Sequence, residues 1–223
     1  MLVLFLITGC YKENSVVNSE TPIFIPNPLC FTAEESGVTI MMGITSNDQS
    51  YDNRNLEYSF DKTNWEEFRI GITTITLDSV GDKVYFRGEN PNGLNPSWSS
   101  GEEVYFITND KKVSASGNVM SLIDPKCESK TVPEYCFINL FKNTTITTAP
   151  ELPATTLANH CYDELFFFCN NLSSIKVFFN DWNSPIGYWV TNVSPSGIFY
   201  CSSKLPQIFG DCYIPEGWTV ETF

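Results

Sequence analysis

The sequence predicts a mainly β chain with some α-helix. An immunoglobulin-like β-sandwich comes first, then a short solenoid of the leucine-rich-repeat kind (strand plus helix), then a small C-terminal β cap. Three observations carry this reading. Between Leu29 and Gly117, short runs of alternating apolar residues are separated by turn residues. After them an aromatic-and-cysteine pattern recurs at a spacing of 25 residues, the length of a solenoid unit. And 42% of the 223 residues are hydrophobic, enough to bury a core.

The β region divides into eight candidate strands: LCFTA (29–33), GVTIMM (37–42), LEYSF (56–60), WEEF (65–68), TTITL (73–77), KVYFRG (83–88), EVYFI (103–107) and KVSAS (112–116). Asp61 to Asn64 and the pair Gly81-Asp82 supply turns between them. Many short strands with regular turns form a sandwich. Tyr58 and Trp65 are candidates for stacking on a glycan, although strand aromatics more often pack in a core. Asp48 and Asp52 share a polar loop and could chelate calcium, but without EF-hand spacing.

The recurrence lies further on. CFINLFKNTTITTAP starts at Cys136 and CYDELFFFCNNLSSIKV at Cys161. Each has Cys, an aromatic, Leu at the fourth following position and Phe at the fifth. Leu157, Cys161 and Leu165 fall four apart, with Phe168 or Cys169 extending the series, so this stretch reads as a helix with one face turned inward. Cys161 and Cys169 would then stand roughly 12 Å apart, too far for a disulfide. The only histidine, His160, adjoins Cys161 without zinc-like spacing. The sulfur in this stretch is therefore expected to be packing.

The N-terminus reads MLVLFLITGCYKEN. Its apolar run is too short to span a bilayer. Small residues then lead to Cys10, which resembles the lipobox of bacterial lipoproteins, except that no Lys or Arg precedes the run. The resemblance implies a signal peptide over 1–9, lipidation of Cys10, and acyl chains that tether the protein to a membrane. Residues 10–28 are rich in Asn, Ser and Pro and read as an extended tether. Tyr11, Lys12 and Glu13 resemble the signal that sends some lipoproteins of Bacteroidota to the outer face of the outer membrane.

From Leu140 to Ile175 the chain reads LFKNTTITTAPELPATTLANHCYDELFFFCNNLSSI, which resembles the BspA-like leucine-rich-repeat surface proteins. Cys169 and Leu172 match that family's Cys and Leu, and Thr144 replaces the Cys of the first unit. LEYSFDKTNWEEF, GDKVYFRGEN and SASGNVMSLID resemble the β domain that often precedes such repeats. WVTNVSPSGIFYC and LPQIFGDCYIPEGWTV resemble the segment that often closes them. The resulting organisation is a sandwich over 29–117, two repeats over 118–184 and a cap over 185–223.

Little here points to catalysis. The net charge is −13, divided as −8 before Asn118 and −5 from it onward, with no basic stripe for nucleic acid. No phosphate-binding glycine loop and no Gly-x-Ser-x-Gly occurs. Glu66-Glu67 and Asp163-Glu164 are adjacent pairs, whose side chains diverge on a strand or helix and make poor acid/base couples. Asn143, Asn171 and Asn192 head sequons, which a bacterial origin discounts, and Asp78-Ser79-Val80 resembles a short O-glycosylation signal. Of the seven cysteines after Cys10, Cys201 with Cys212 are placed to form a disulfide, and Cys127 with Cys136 are a weaker pair. The alternative is that all are free and mostly buried.

The family resemblance implies adhesion, and the residues themselves point to no catalytic activity, cofactor or metal. The protein would bind host or bacterial surface proteins or glycans, and alternation exposes Thr145, Thr147, Ser173 and Lys176 for that contact. Two alternatives remain: a carbohydrate-binding accessory lipoprotein using Trp65 and Tyr58, and a periplasmic structural or assembly protein.

Overall fold

A computed structural model describes residues 27–45, 53–95, 102–184 and 186–223. Cys10, the tether, Asp48 and Asp52 lie outside the described residues. The mainly β expectation holds, and each of the eight expected strand regions contains a strand. They are β1 (Leu29–Ala33), β2 (Val38–Ile44), β3 (Leu56–Ser59), β4 (Glu66–Glu67), β5 (Ile75–Leu77), β6 (Lys83–Gly88), β7 (Val104–Thr108) and β8 (Val113–Ser116).

These strands build two antiparallel sheets, ordered β4-β3-β6-β1-β8 and β5-β2-β7. Alternation sends Phe31 of β1 and Phe86 of β6 inward, where both meet Phe106 of β7 edge-on at centroid distances of 4.9 and 5.3 Å. The 3-10 turn Val119–Leu122 follows β8, capped by the Asn118 side chain on the Met120 amide. Its buried Ser121 hydroxyl donates to the Phe86 carbonyl and accepts from the Leu29 amide, which locks the turn to β6 and β1.

Four more strands follow: β9 (Glu151–Leu152), β10 (Ser174–Val177), β11 (Ile198–Cys201) and β12 (Thr219–Thr222). All four are parallel neighbours in one sheet. Thus β10, before residue 184, and β11 and β12, within the segment expected as a cap, share one ladder. Gly197 leads into β11 because nothing larger fits: a Cβ there would stand 2.4 Å from the Ser173 carbonyl oxygen.

The expected helix over Leu157, Cys161, Leu165 and Cys169 does not form. Among the described residues no α-helix occurs. The chain instead makes three arches of consecutive turns, over 133–144, 158–169 and 186–193. Left-handed residues recur every fourth position, at Tyr135, Asn139 and Asn143, at His160, Glu164 and Phe168, and at Tyr188 and Asn192. Their φ values run from 49° to 61°, which no α-helix allows. A turn every four residues still keeps Cys161, Leu165 and Cys169 inward, so the buried face matches the helical expectation although the element does not.

Backbone hydrogen bonds join the arches edge to edge. In the first arch the amides of Ile138, Leu140, Lys142 and Thr144 bond three residues back. The alternate amides of Phe137, Asn139, Phe141 and Asn143 instead reach the carbonyls of Cys161, Asp163, Leu165 and Phe167 in the second arch, at 2.9–3.0 Å. Glu164, Phe166 and Phe168 reach Gly187, Trp189 and Thr191 of the third in the same way. The corresponding carbonyls of the first arch have no preceding arch. The buried Asn95 side chain donates to Cys136 and Ile138, and the Phe106 amide donates to Leu140 at 2.7 Å. The sandwich thus stands where an earlier arch would stand.

The core is continuous across this junction. Phe106 stacks on Phe141 at 5.5 Å, Phe141 on Phe166 at 5.6 Å, and Phe166 meets Trp189 at 6.1 Å. Two variants probe it. Phe141→Ala is expected to cost about 3–5 kcal/mol, and Asn95→Leu about 1–3 kcal/mol for the carbonyls left unpaired. Denaturant unfolding read at tryptophan fluorescence and at far-UV dichroism measures both. The shared core predicts one coincident transition in the native chain and in each variant.

Candidate functional site

One extended open feature is the outer face of the sheets. Parallel bridges join Pro28 to Asn118, Asn118 to Glu151, and Val113 to Ile146, so the five-stranded sheet of the sandwich runs into the β9–β12 ladder. The Thr147 amide donates to Val113 and the Ala149 amide to Ser174, closing the gap between β8 and β10. One side of this surface covers the core. On its other side a cross-strand row runs Glu151, Lys176, Tyr200, Glu221 from β9 to β12.

Lys176 is the centre of that row. Its ammonium lies 2.7 Å from Glu151 Oε1. It also lies 4.9 Å from the Phe178 ring centroid and 5.7 Å from that of Phe223. Phe178 and Phe223 contact each other at 5.3 Å, and Phe223 is exposed. Both partners of the ion pair are well solvated, so it adds little to stability. It sets Lys176 beside Phe178 and Phe223 on an open face that also carries Tyr200, and aromatic rings are the residue type that anchors protein interfaces. Sequence reading found Lys176 but missed Tyr200, Phe178 and Phe223. Alternation carried the signal: Val177 and Phe179 are buried where Lys176 and Phe178 are not, and Phe199 and Cys201 are buried where Tyr200 is not.

The other expected contact residues serve the fold. The Thr145 hydroxyl donates to the Lys111 carbonyl at 2.6 Å and pairs with Thr108, tying the first arch to the sandwich. Thr147 donates to Glu34 at 2.7 Å, and Ser173 donates to the Thr147 carbonyl at 3.3 Å.

Tyr58 and Trp65 do not form one platform. Tyr58 pairs with Phe86 in register and so points to the inner face, where Phe68 meets it and its hydroxyl donates a hydrogen bond to Glu66 at 2.8 Å. Trp65 belongs to the opposite face, where the Arg87 guanidinium lies 4.0 Å over its ring and Glu57 holds that guanidinium at 2.7 Å. Glu66 and Glu67 separate likewise, onto Tyr58 and Arg69. Asp163 and Glu164 diverge too: Asp163 takes His160 Nδ1 at 2.7 Å and the Gly187 amide, whereas Glu164 pairs with Lys142. His160 stacks parallel on Tyr135, and no Ser or Cys shares a hydrogen bond with its ring among the described residues. Asn143, Asn171, Asn192 and Asp78-Ser79-Val80 are exposed.

Cys30, Cys127, Cys136, Cys161, Cys169, Cys201 and Cys212 are all free. The disulfide expected of Cys201 and Cys212 is not formed, because Cys201 faces the core from β11 while Cys212 Sγ accepts the Tyr188 amide. Cys127 and Cys136 are likewise separate. Cys169 sits between Thr144 and the Phe141 carbonyl, to which it donates at 2.9 Å. Among the described residues no group of three His, Cys, Asp or Glu side chains is placed to hold a metal ion. None of their helices is long and apolar enough to cross a membrane. No family model, curated protein or solved structure matches the chain.

Burial pushes the thiols of Cys161 and Cys169 up to about 12, and raises Cys136 as well. An unfolded thiol ionises near about 8.5. Below that pH both states hold the proton and stability is unaffected. Between pH 9 and pH 12 the unfolded chain loses protons that the folded chain keeps, so stability falls by about 1.4 kcal/mol per thiol per pH unit. Urea midpoints between pH 8 and pH 10.5 are expected to show this fall. A Cys161→Ala/Cys169→Ala variant, less stable at neutral pH, is expected to show a shallower one.

Proposed function

We propose that this chain is a non-catalytic bacterial surface lipoprotein that adheres to a protein partner through the open face of its β9–β12 ladder. The observation that carries the reading is the row Glu151, Lys176, Tyr200, Glu221 with Phe178 and Phe223 beside it. Aromatic side chains such as Tyr200 and Phe223, carried on a preformed sheet, meet a partner at small entropic cost. The finer architecture proposed with it is an immunoglobulin-like sandwich that opens a leucine-rich-repeat coil of the BspA-like kind. Recurrence near 25 residues and the parallel ladder support that reading. Lipidation at Cys10 would hold the protein to the outer membrane, with 10–28 as the tether.

Two measurements test this. Intact cells carrying the native chain are treated with protease beside cells carrying Cys10→Ser. The native protein is expected to be cell-bound and cut while cells stay whole, and the variant to be released. A bound but protected protein would favour a periplasmic structural role instead. Adherence of the same cells to host-cell monolayers is then compared for native, Tyr200→Ala and Lys176→Glu chains. Loss of one anchor is expected to cost about 2 kcal/mol of binding, roughly thirtyfold in affinity. Unchanged adherence in both variants would move the contact off the ladder.

A further inference from the structure

A different face holds a cleft where the sandwich meets the first arch. It measures about 420 Å³, within the range of small-ligand sites and at a junction of two structural units, where such sites concentrate. One wall is β7, with Tyr105, Ile107 and Thr108, and the other is the arch, with Asn139, Lys142 and Asn143. A second hollow of about 340 Å³ adjoins it and shares Glu103, Asn139 and Lys142.

Its aromatic wall is set by the backbone. Gly43 lies opposite Tyr105 in the strand register. A Cβ on Gly43 would stand 2.9 Å from the Tyr105 ring and 3.0 Å from Ile107 Cδ1. Without it, Tyr105 lies close over the β2 backbone while still lining the cleft. The polar wall is equally fixed. Asn139, 5% exposed, gives its amide to Glu103 at 2.7 Å, and its buried carbonyl oxygen has no partner. The Tyr105 hydroxyl and the Asn143 carboxamide make no hydrogen bond among the described residues. Asn143 is held in the left-handed region by the arch, and so is presented at a fixed place on the rim.

We propose that this cleft binds a neutral pyranose, a sugar unit with an apolar C–H face and a hydroxyl edge. The Tyr105 ring meets the C–H face, and Asn143 and Glu103 take the hydroxyls as donor and acceptor. The charges on the walls oppose one another: Glu103 is negative, and positive Lys142 is shared with Glu164. A neutral ligand therefore fits better than an ion, and the chain's net charge of −13 disfavours acidic sugars further. The proposal is independent of the ladder and of its protein partner.

The test is an NMR titration of the isotope-labelled full chain with methyl glucoside, methyl galactoside, methyl mannoside, N-acetylglucosamine and glucuronate. At least one neutral sugar is expected to shift amides of 103–108 and 139–143 saturably, in the millimolar range. Tyr105→Ala and Asn143→Gly are each expected to weaken that binding at least tenfold. Gly adopts the left-handed backbone of Asn143 without strain, so Asn143→Gly is expected to fold. Tyr105→Phe keeps the ring and is expected to bind within a few-fold of native. The absence of any saturable shift overturns the proposal. So does binding that survives both Tyr105→Ala and Asn143→Gly, or that is lost only in Trp65→Ala. Glucuronate binding as tightly as the neutral sugars overturns the ligand class. Adherence lost in Tyr200→Ala without any sugar binding would sink this inference alone, and sugar binding without adherence would sink only the ladder reading.

Discussion

Among the described residues, the first two arches each depend on the next for half of their backbone hydrogen bonds. Their alternate amides point along the stack, out of their own arch, and find carbonyls there. A single unit of this kind cannot close itself, unlike a helix, whose bonds run within the segment. Such a stack needs a first surface that is already folded. The sandwich provides it through two groups, the carboxamide of Asn95 and the amide of Phe106. The same surface offers the Phe106 ring, against which Phe141 and then Phe166 stack. Hydrogen bonding and apolar burial are thus satisfied in one direction, outward from β7.

That dependence explains why the two regions share one core. If the sandwich and the coil were merely tethered, each would need its own end-cover. Instead the Ile146 to Glu151 segment inserts between β8 and β10, and the Thr145 hydroxyl ties the end of the first arch to the 108–111 turn. The junction is polar at its edges and aromatic at its centre. Opening it would expose Phe106 and Phe141 and strand the carbonyls beneath Asn95, so the two regions are expected to lose structure together.

Much of this was legible in the sequence, and particular residues show where legibility stopped. Strand positions followed from alternation, because a sheet with one buried face imposes a period of two. The inward residues of the second arch followed from fourfold spacing. The element did not, since spacings of 4.0 and 3.6 differ little over nine residues and both bury Cys161, Leu165 and Cys169. Asn139, Asn143 and His160 carried a usable signal, because these residue types tolerate left-handed backbone better than most. The third arch was hidden by changes of side chain. Trp189 stands where Leu165 does, Val190 where Phe166 does, and Val193 where Cys169 does, with a spacing of 24 instead of 25. Packing preserves filled volume and not residue identity, so a repeat read by identity ends too early. Asn95 was invisible for a different reason: the carbonyls it caps lie more than forty positions away, and no local pattern marks a cap made at that range.

The joined sheet has a consequence for recognition by antibodies. Along its outer face, residues as distant as Glu57 and Glu221 belong to one surface, assembled from strands that alternate between nearby and remote parts of the chain. Any footprint of ordinary size on that face must draw on several strands at once. No linear peptide cut from this protein carries such an epitope, so sera raised on fragments would recognise the unfolded chain and overlook the native surface. Conversely, an antibody that blocks the intact face would lose its target when the arches come apart.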